Sequence, residues 1–211
     1  MFNSMFYNLI LINFWTHMEE NVYNSEENLF YTFSREEWRN WLLKNYKTAK
    51  SVWFVFPMKE SGEKSLSYND AVEEALCFGW IDSTIKNIDK THRAQHFTLR
   101  KKGSAYSRPN IERLIWLENQ NLLMKEIRDE VKELISTPYV FPEDIIAELK
   151  KDSVVWENFC MLGSGYKRIR ISYIDAARKR PEEFKKRLEN FMAKTRAGKL
   201  IKGFGGIEKY Y

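Results

Sequence analysis

The sequence predicts an α+β fold: a helix-rich chain with a small mixed sheet module at the N-terminal side, followed by a helical C-terminal region. Three observations carry this. Residues 51–56 (SVWFVF) are dense in β-branched and aromatic residues, as a buried strand requires. Residues 68–78 show apolar positions at helical spacing and stop at Gly79, a glycine suited to a helix C-cap. From Ser107 onward the apolar residues recur at helical intervals, with no further alternating stretch. A length of 211 residues suits one large domain or two small ones, and 7 Trp, 11 Tyr and 14 Phe are ample for a core, which excludes a disordered chain.

The elements follow in order. Residues 1–33 are expected to be an N-terminal arm or the product of a misassigned start. The apolar part of residues 1–17 is shorter than the roughly 20 residues a membrane-spanning helix needs. It has no basic n-region, and Met18 precedes two glutamates. The expected compartment is the cytoplasm, with the periplasm as the alternative if residues 1–17 act as a degenerate signal. Residues 34–136 are expected to form the α+β module. Ser34 and Glu37 make a capping box that opens a helix burying Trp38, Trp41 and Leu42. Pro57 closes the strand at 51–56, and Ser67 caps the helix that carries Ala71, Val72, Ala75, Leu76 and Phe78. Residues 82–90 and 95–100 alternate and read as a hairpin beside that strand. Ser107 caps a helix entered through Pro109, and a second helix runs to about residue 136. Residues 137–202 are expected to be a basic helical region: a helix from Pro142, one capped by Ser153, and two final helices at 166–180 and 181–199. Residues 203–211 read as a flexible tail.

The net charge of +5 is unevenly spread. Residues 166–211 hold 14 Lys/Arg against 5 Asp/Glu. A segment of that kind can attract nucleic acid or dock on an acidic surface. Helical spacing in residues 166–173 places Ile169, Tyr173 and Ala176 inward and turns Lys167, Arg168 and Arg170 to solvent. Those three cations are the alternative nucleic-acid site. Aromatic platform and basic face do not coincide there, so nucleic acid is not the expected partner.

The two cysteines, Cys77 and Cys160, are read as buried, reduced thiols. Cys77 lies inside a helix between Leu76 and Phe78, so it is not read as a nucleophile with His92 or His96 as base. The three histidines, His17, His92 and His96, make no metal pattern, and no cofactor is implied. The candidate ligand-binding residues are Trp80, Asp82, Arg100, Ser104, Ser107 and Asn110. All follow the ends of elements, where polar ligands tend to bind. Arg100, with the amides near Ser107, could hold a carboxylate or phosphate. The competing reading is that Asp82 pairs with Arg100 and ties the hairpin to the helix.

The order of motifs resembles a known family. Trp38, Trp41-Leu42, Val52-Trp53, residues 68–83 (YNDAVEEALCFGWIDS), residues 97–101 and then Ser104, Ser107 and Asn110 are similar to the bacterial YdeI/OmpD-associated, or bacteriocin-protection, proteins, and the run from Tyr166-Lys167-Arg168 to Arg187 also looks like that family's closing segment. The resemblance covers roughly residues 35–200, and this chain departs from the family pattern at Leu99 and Tyr106. It implies a role in stress or antimicrobial resistance and supplies no reaction. The expected function is therefore a non-enzymatic binding or stress-resistance protein, whose partner is another protein or a small anionic ligand. The alternatives are a small-molecule binder or enzyme with a polar pocket around Asp82 and Arg100, and a weak nucleic-acid binder.

Overall fold

The protein is described by a computed structural model over residues 22–24, 28–203 and 207–210. The expectations for residues 1–17 lie outside the described residues. The chain divides into two compact units, residues 1–103 and 104–211.

Among the described residues the first unit is a mixed sheet with two α-helices. Its elements are β1 (Val22–Asn24), β2 (Leu29–Tyr31), α1 (Arg35–Asn45), β3 (Ser51–Pro57), α2 (Tyr68–Cys77), β4 (Trp80–Asn87) and β5 (His92–Leu99). The strand order is β1-β2-β3-β5-β4, parallel between β2 and β3 and antiparallel elsewhere. The hairpin expected after Asp82 is β4–β5, and β5 pairs with β3 as its sequence pattern implied. The sheet begins before residue 34. Leu29, Phe30 and Tyr31 are all buried, and β2 pairs directly with β3. Three residues are too short for a periodicity to be read, so the sequence hid this strand.

Residues next to the elements explain their limits. Ser34 Oγ accepts from the Glu37 amide at the start of α1. The return half of the capping box is replaced: Glu37 accepts from the Thr32 hydroxyl, and the Thr32 oxygen in turn accepts from the Ser34 amide. Ser67 Oγ accepts from the Asp70 amide at the start of α2, and Gly79 takes the left-handed φ of +73° just past its end.

Trp38 is the hub of the core. It is fully buried, its indole N–H donates to Ala71 O at 3.0 Å, and its ring lies 5.0–5.6 Å from Phe30, Phe54 and Phe97. Trp41 and Trp53, expected to be buried, are only half-buried. Trp53 alternates away from Phe54, stacks on His96 at 4.4 Å and lies under the Lys86 ammonium at 4.5 Å. Helix α2 is buried on more faces than an amphipathic pattern allows, since Asn69, Glu73 and Glu74 are buried with its apolar residues. Arg35 and Arg39 on α1 answer those carboxylates: Arg35 bonds Glu74 at 2.6 Å and Glu73 at 3.0 Å, and Arg39 bonds Glu74 at 2.7 Å.

The second unit is helical: α3 (Arg108–Asn119), α4 (Lys125–Ser136), α5 (Glu143–Lys150), α6 (Ser153–Met161), α7 (Ser164–Asp175) and α8 (Pro181–Arg196). The cap of α6 is Asp152, one residue before the expected Ser153, and accepts from the Val155 amide. Ile145, Leu149, Val155, Phe159, Tyr166, Ile171, Ile174 and Phe191 form one apolar cluster from α5, α6, α7 and α8. The tail is not loose at its end. Residues Ile207–Tyr210 form a 3₁₀ turn, and Tyr210 packs on Ile169 and against Trp116 at 5.9 Å. Gly165 makes this approach possible, because a Cβ there would sit 2.1 Å from the Tyr210 carbonyl oxygen.

Two substitutions test the sheet assignment. Trp38→Ala should cost roughly 3–5 kcal/mol, the range for a fully buried large aromatic. Trp53→Ala should cost less, about 1–3 kcal/mol, because part of its side chain stays open to water. Urea unfolding of both variants checks this, and equal losses would contradict the alternation of β3.

Candidate functional site

The first unit contains a cavity of about 250 Å³ bordered by Phe56, Tyr68, Asp82, Ser83, Ile85, Arg93 and Gln95. The sheet register places these residues together. Phe56 lies across from Arg93 in the β3–β5 ladder, and Ile85 lies across from Gln95 in the β4–β5 ladder. Asp82 and Ile85 are three residues apart, so on a regular strand they would point to opposite faces. The register shifts between Asp82 and Ile85, and this irregularity lets both border the cavity. Tyr68, the first residue of α2, closes one side, its ring 6.3 Å from Phe56.

The polar groups have distinct states. The Tyr68 hydroxyl donates to Asp82 Oδ2 at 2.6 Å, which fixes the carboxylate and leaves Oδ1 available. Gln95 is buried and its amide nitrogen donates to Thr84 O at 3.2 Å. Arg93 is exposed, and its guanidinium makes no ion pair among the described residues. The cavity thus combines an anchored carboxylate, an unengaged guanidinium and an aromatic wall. That set can hold a ligand bearing an anionic group and a hydrogen-bond donor.

Of the residues singled out in the sequence, Asp82 alone borders this cavity. Trp80 is fully buried, with its indole N–H on Tyr46 O at 3.2 Å. It supports the strand from within the core. Arg100 follows β5, and its backbone N–H donates to Gly79 O at 2.9 Å. Ser104, Ser107 and Asn110 belong to the second unit. Ser104 is exposed, Ser107 occupies the cap position of α3 without a hydroxyl bond to the helix, and Asn110 Oδ1 accepts from Arg113 at 2.8 Å. The residues that sequence reasoning missed are Tyr68, Arg93 and Gln95. Their signal was present in part: Arg93 and Gln95 share the parity of Phe97, so the alternation of β5 carried back two residues reaches Arg93.

The alternative basic site is used internally by the second unit. Arg170 was expected to face solvent, but it is buried and donates to the Ile201 carbonyl. Arg168 forms a bidentate pair with Glu112 at 2.7 and 2.6 Å. Lys167 donates to Cys160 O at 3.2 Å. On the same helix Tyr173 and Ala176, expected to point inward, are exposed, and Ile171 and Ile174 are buried instead. Ile169 is buried as expected, and the rest of the inward stripe differs from the one read in the sequence because Tyr166, Ile171 and Ile174 meet the α5–α6–α8 cluster.

The thiols differ from each other. Cys77 is buried, and desolvation, followed by the nearby Glu74 carboxylate, pushes its pKa up to about 12. Cys160, expected to be buried, is exposed at the end of α6. The two histidines near Cys77 in sequence have other neighbours. The His92 ring nitrogens lie 2.9 Å from Glu63 and Asp89, and His96 lies against Trp53 and Ser83. Among the described residues no helix is long and apolar enough to cross a membrane.

Two family models match the chain, one for each part. Residues 30–130 match a domain of unknown function (DUF8412). Residues 138–198 match the family described as Bacteriocin-protection, YdeI or OmpD-Associated, the family the chain resembles. The match rests on the helices from α5 to α8, whereas the motifs around residues 68–83 fall within the other model. No curated protein and no solved structure matched the chain.

Thiol titration of the native protein should give one fast equivalent, from Cys160, and a slow second one from Cys77. Two fast equivalents at neutral pH would contradict the packing of α2. Cys77→Ser should cost on the order of 1–3 kcal/mol, through burial of a hydroxyl in place of a thiol.

Proposed function

We propose that this chain is a non-enzymatic binding protein of the stress- and antimicrobial-resistance type, acting in the cytoplasm, and that its first unit holds a small polar ligand. The observation that carries the reading is the shared cavity of Arg93 and Asp82. An exposed guanidinium and a tyrosine-anchored carboxylate border one space with Phe56 and Ile85. The ligand that fits carries a carboxylate or phosphate for Arg93, an amino or hydroxyl group for Asp82, and a short apolar part for the wall. Amino acids and hydroxy acids are the matching chemical class. The resistance role is supported by the description of the family that residues 138–198 match. The binding role is supported by the protonated, buried state of Cys77, which suits a core thiol better than a nucleophile. Nucleic acid is disfavoured, because Arg168 and Arg170 are committed to Glu112 and Ile201.

A thermal-shift screen of amino and hydroxy acids, followed by calorimetric titration of the hits, tests this. Arg93→Ala should weaken binding about 10- to 100-fold, since a charge-assisted hydrogen bond contributes roughly 1.5–3 kcal/mol. Asp82→Asn should act in the same direction, and Tyr68→Phe should act more weakly by loosening the carboxylate. A hit indifferent to Arg93→Ala, or a micromolar, salt-dependent RNA complex at about 150 mM salt, would overturn the proposal.

A further inference from the structure

The second unit has a cavity of its own, of about 280 Å³, between α7, α8 and the chain that returns through Ile201. Its floor is apolar: Ile174 and Phe191 are each only 1% exposed. Its polar border is cationic, with Arg170, Lys186 and Arg187 against the single carboxylate of Glu183. The cations are not equivalent. Arg187 is held in place by Glu183 Oε1 at 2.7 Å and Tyr173 O at 2.7 Å, and its guanidinium lies 3.7 Å from the Tyr173 ring centre. Arg170 is 4% exposed and is fixed to the Ile201 carbonyl. Lys186 and Asn190 stand exposed at the mouth, and neither makes an ion pair or hydrogen bond among the described residues.

We infer that this cavity binds an amphipathic anion: a ligand with one carboxylate or similar acid group and a compact apolar body. The apolar body displaces water from Ile174 and Phe191, and burial of apolar area drives that step. The acid group is met at the mouth by the Lys186 ammonium and the Asn190 amide. The positive excess of the border selects charge: an anion is attracted, a neutral analogue gains only the floor, and a cation is repelled. The excess is maintained because Glu183 is occupied by Arg187, whose hydrogen bond holds the Glu183 pKa below its usual value, so that carboxylate is a fixed part of the wall. This site is separate from the Asp82 cavity and does not depend on it.

Octanoate, octan-1-ol and octylamine, which share one apolar chain and differ in charge, are the probes. Each is titrated calorimetrically into the full chain. Octanoate should bind about tenfold more tightly than octan-1-ol, and octylamine more weakly than either. Lys186→Glu should weaken octanoate by about fivefold or more and leave octan-1-ol within about twofold, since the floor is untouched. Asn190→Trp, which blocks the mouth from an exposed helical position, should remove binding of both while the thermal midpoint stays near that of the parent. Glu183→Gln gives a further check, with octanoate binding maintained or tightened. Equal affinity for acid and alcohol, indifference to Lys186→Glu, undiminished binding in Asn190→Trp, or the absence of octanoate binding would each overturn the inference.

Discussion

Each unit is organised around a carboxylate that has been removed from water and answered by two arginines. In the first unit Glu74 lies between Arg35 and Arg39, and in the second Glu112 lies between Arg108 and Arg168. Both glutamates are almost fully buried. Desolvating an ion costs several kcal/mol, and only close, well-directed partners offset it. The geometry of the helices is therefore constrained. Helix α2 can bury Glu73 and Glu74 only where α1 brings Arg35 and Arg39 alongside. Helices α3 and α7 must likewise approach closely enough for Arg168 to form two bonds to Glu112. Losing one arginine from either group would leave the buried glutamate with a single cation, and losing both would leave it uncompensated, a change that typically costs about 3–5 kcal/mol.

These ion groups also account for the unequal legibility of the fold. Ser34, Ser67 and Gly79 act locally, through amides and backbone angles within a few residues, and their elements could be read directly. Trp38 was readable because it sits in the apolar stripe of a capped helix. Trp53 was not, because its neighbours Val52 and Phe54 are buried and only the pairing with His96 shows that its own side is half-open. The burial of Arg170 was hidden for the same reason. An arginine on a basic helix looks solvated until a distant carbonyl, that of Ile201, is brought to it. Tyr210 looked like part of a loose tail, since neither Gly165 nor Trp116 is near it in sequence.

The candidate site was legible to a smaller degree. Asp82 stood out at the end of a helix–strand motif, and the structure assigns it to a cavity. Its cationic counterpart was sought at Arg100, the arginine closest to a strand end. The cavity instead takes Arg93, because the irregularity after Asp82 shifts which residues of β4 share a face and lets Asp82 and Ile85 border the same space as Arg93. Ser107 and Asn110 were grouped with Asp82 because all follow the ends of elements read as one module, yet they belong to another compact unit. The resemblance behaved similarly. Its densest motifs lie in residues 68–83, while the match to the bacteriocin-protection family lies in the later helices, which hold the basic run from Tyr166 to Arg187.

Helix α2 shows what such a dense motif records. A helix enclosed on nearly every side has few positions where a substitution would pass unnoticed. An added methyl meets the core, and a lost carboxylate strands an arginine. Its run of residues is thus dictated by packing and charge, independently of any ligand. The groups that would choose a ligand, Arg93 and Ile85, lie in the exposed hairpin, where side chains can change without disturbing the fold. Proteins gathered by the helix motif would therefore share an architecture, and they could still differ from one another in what they hold.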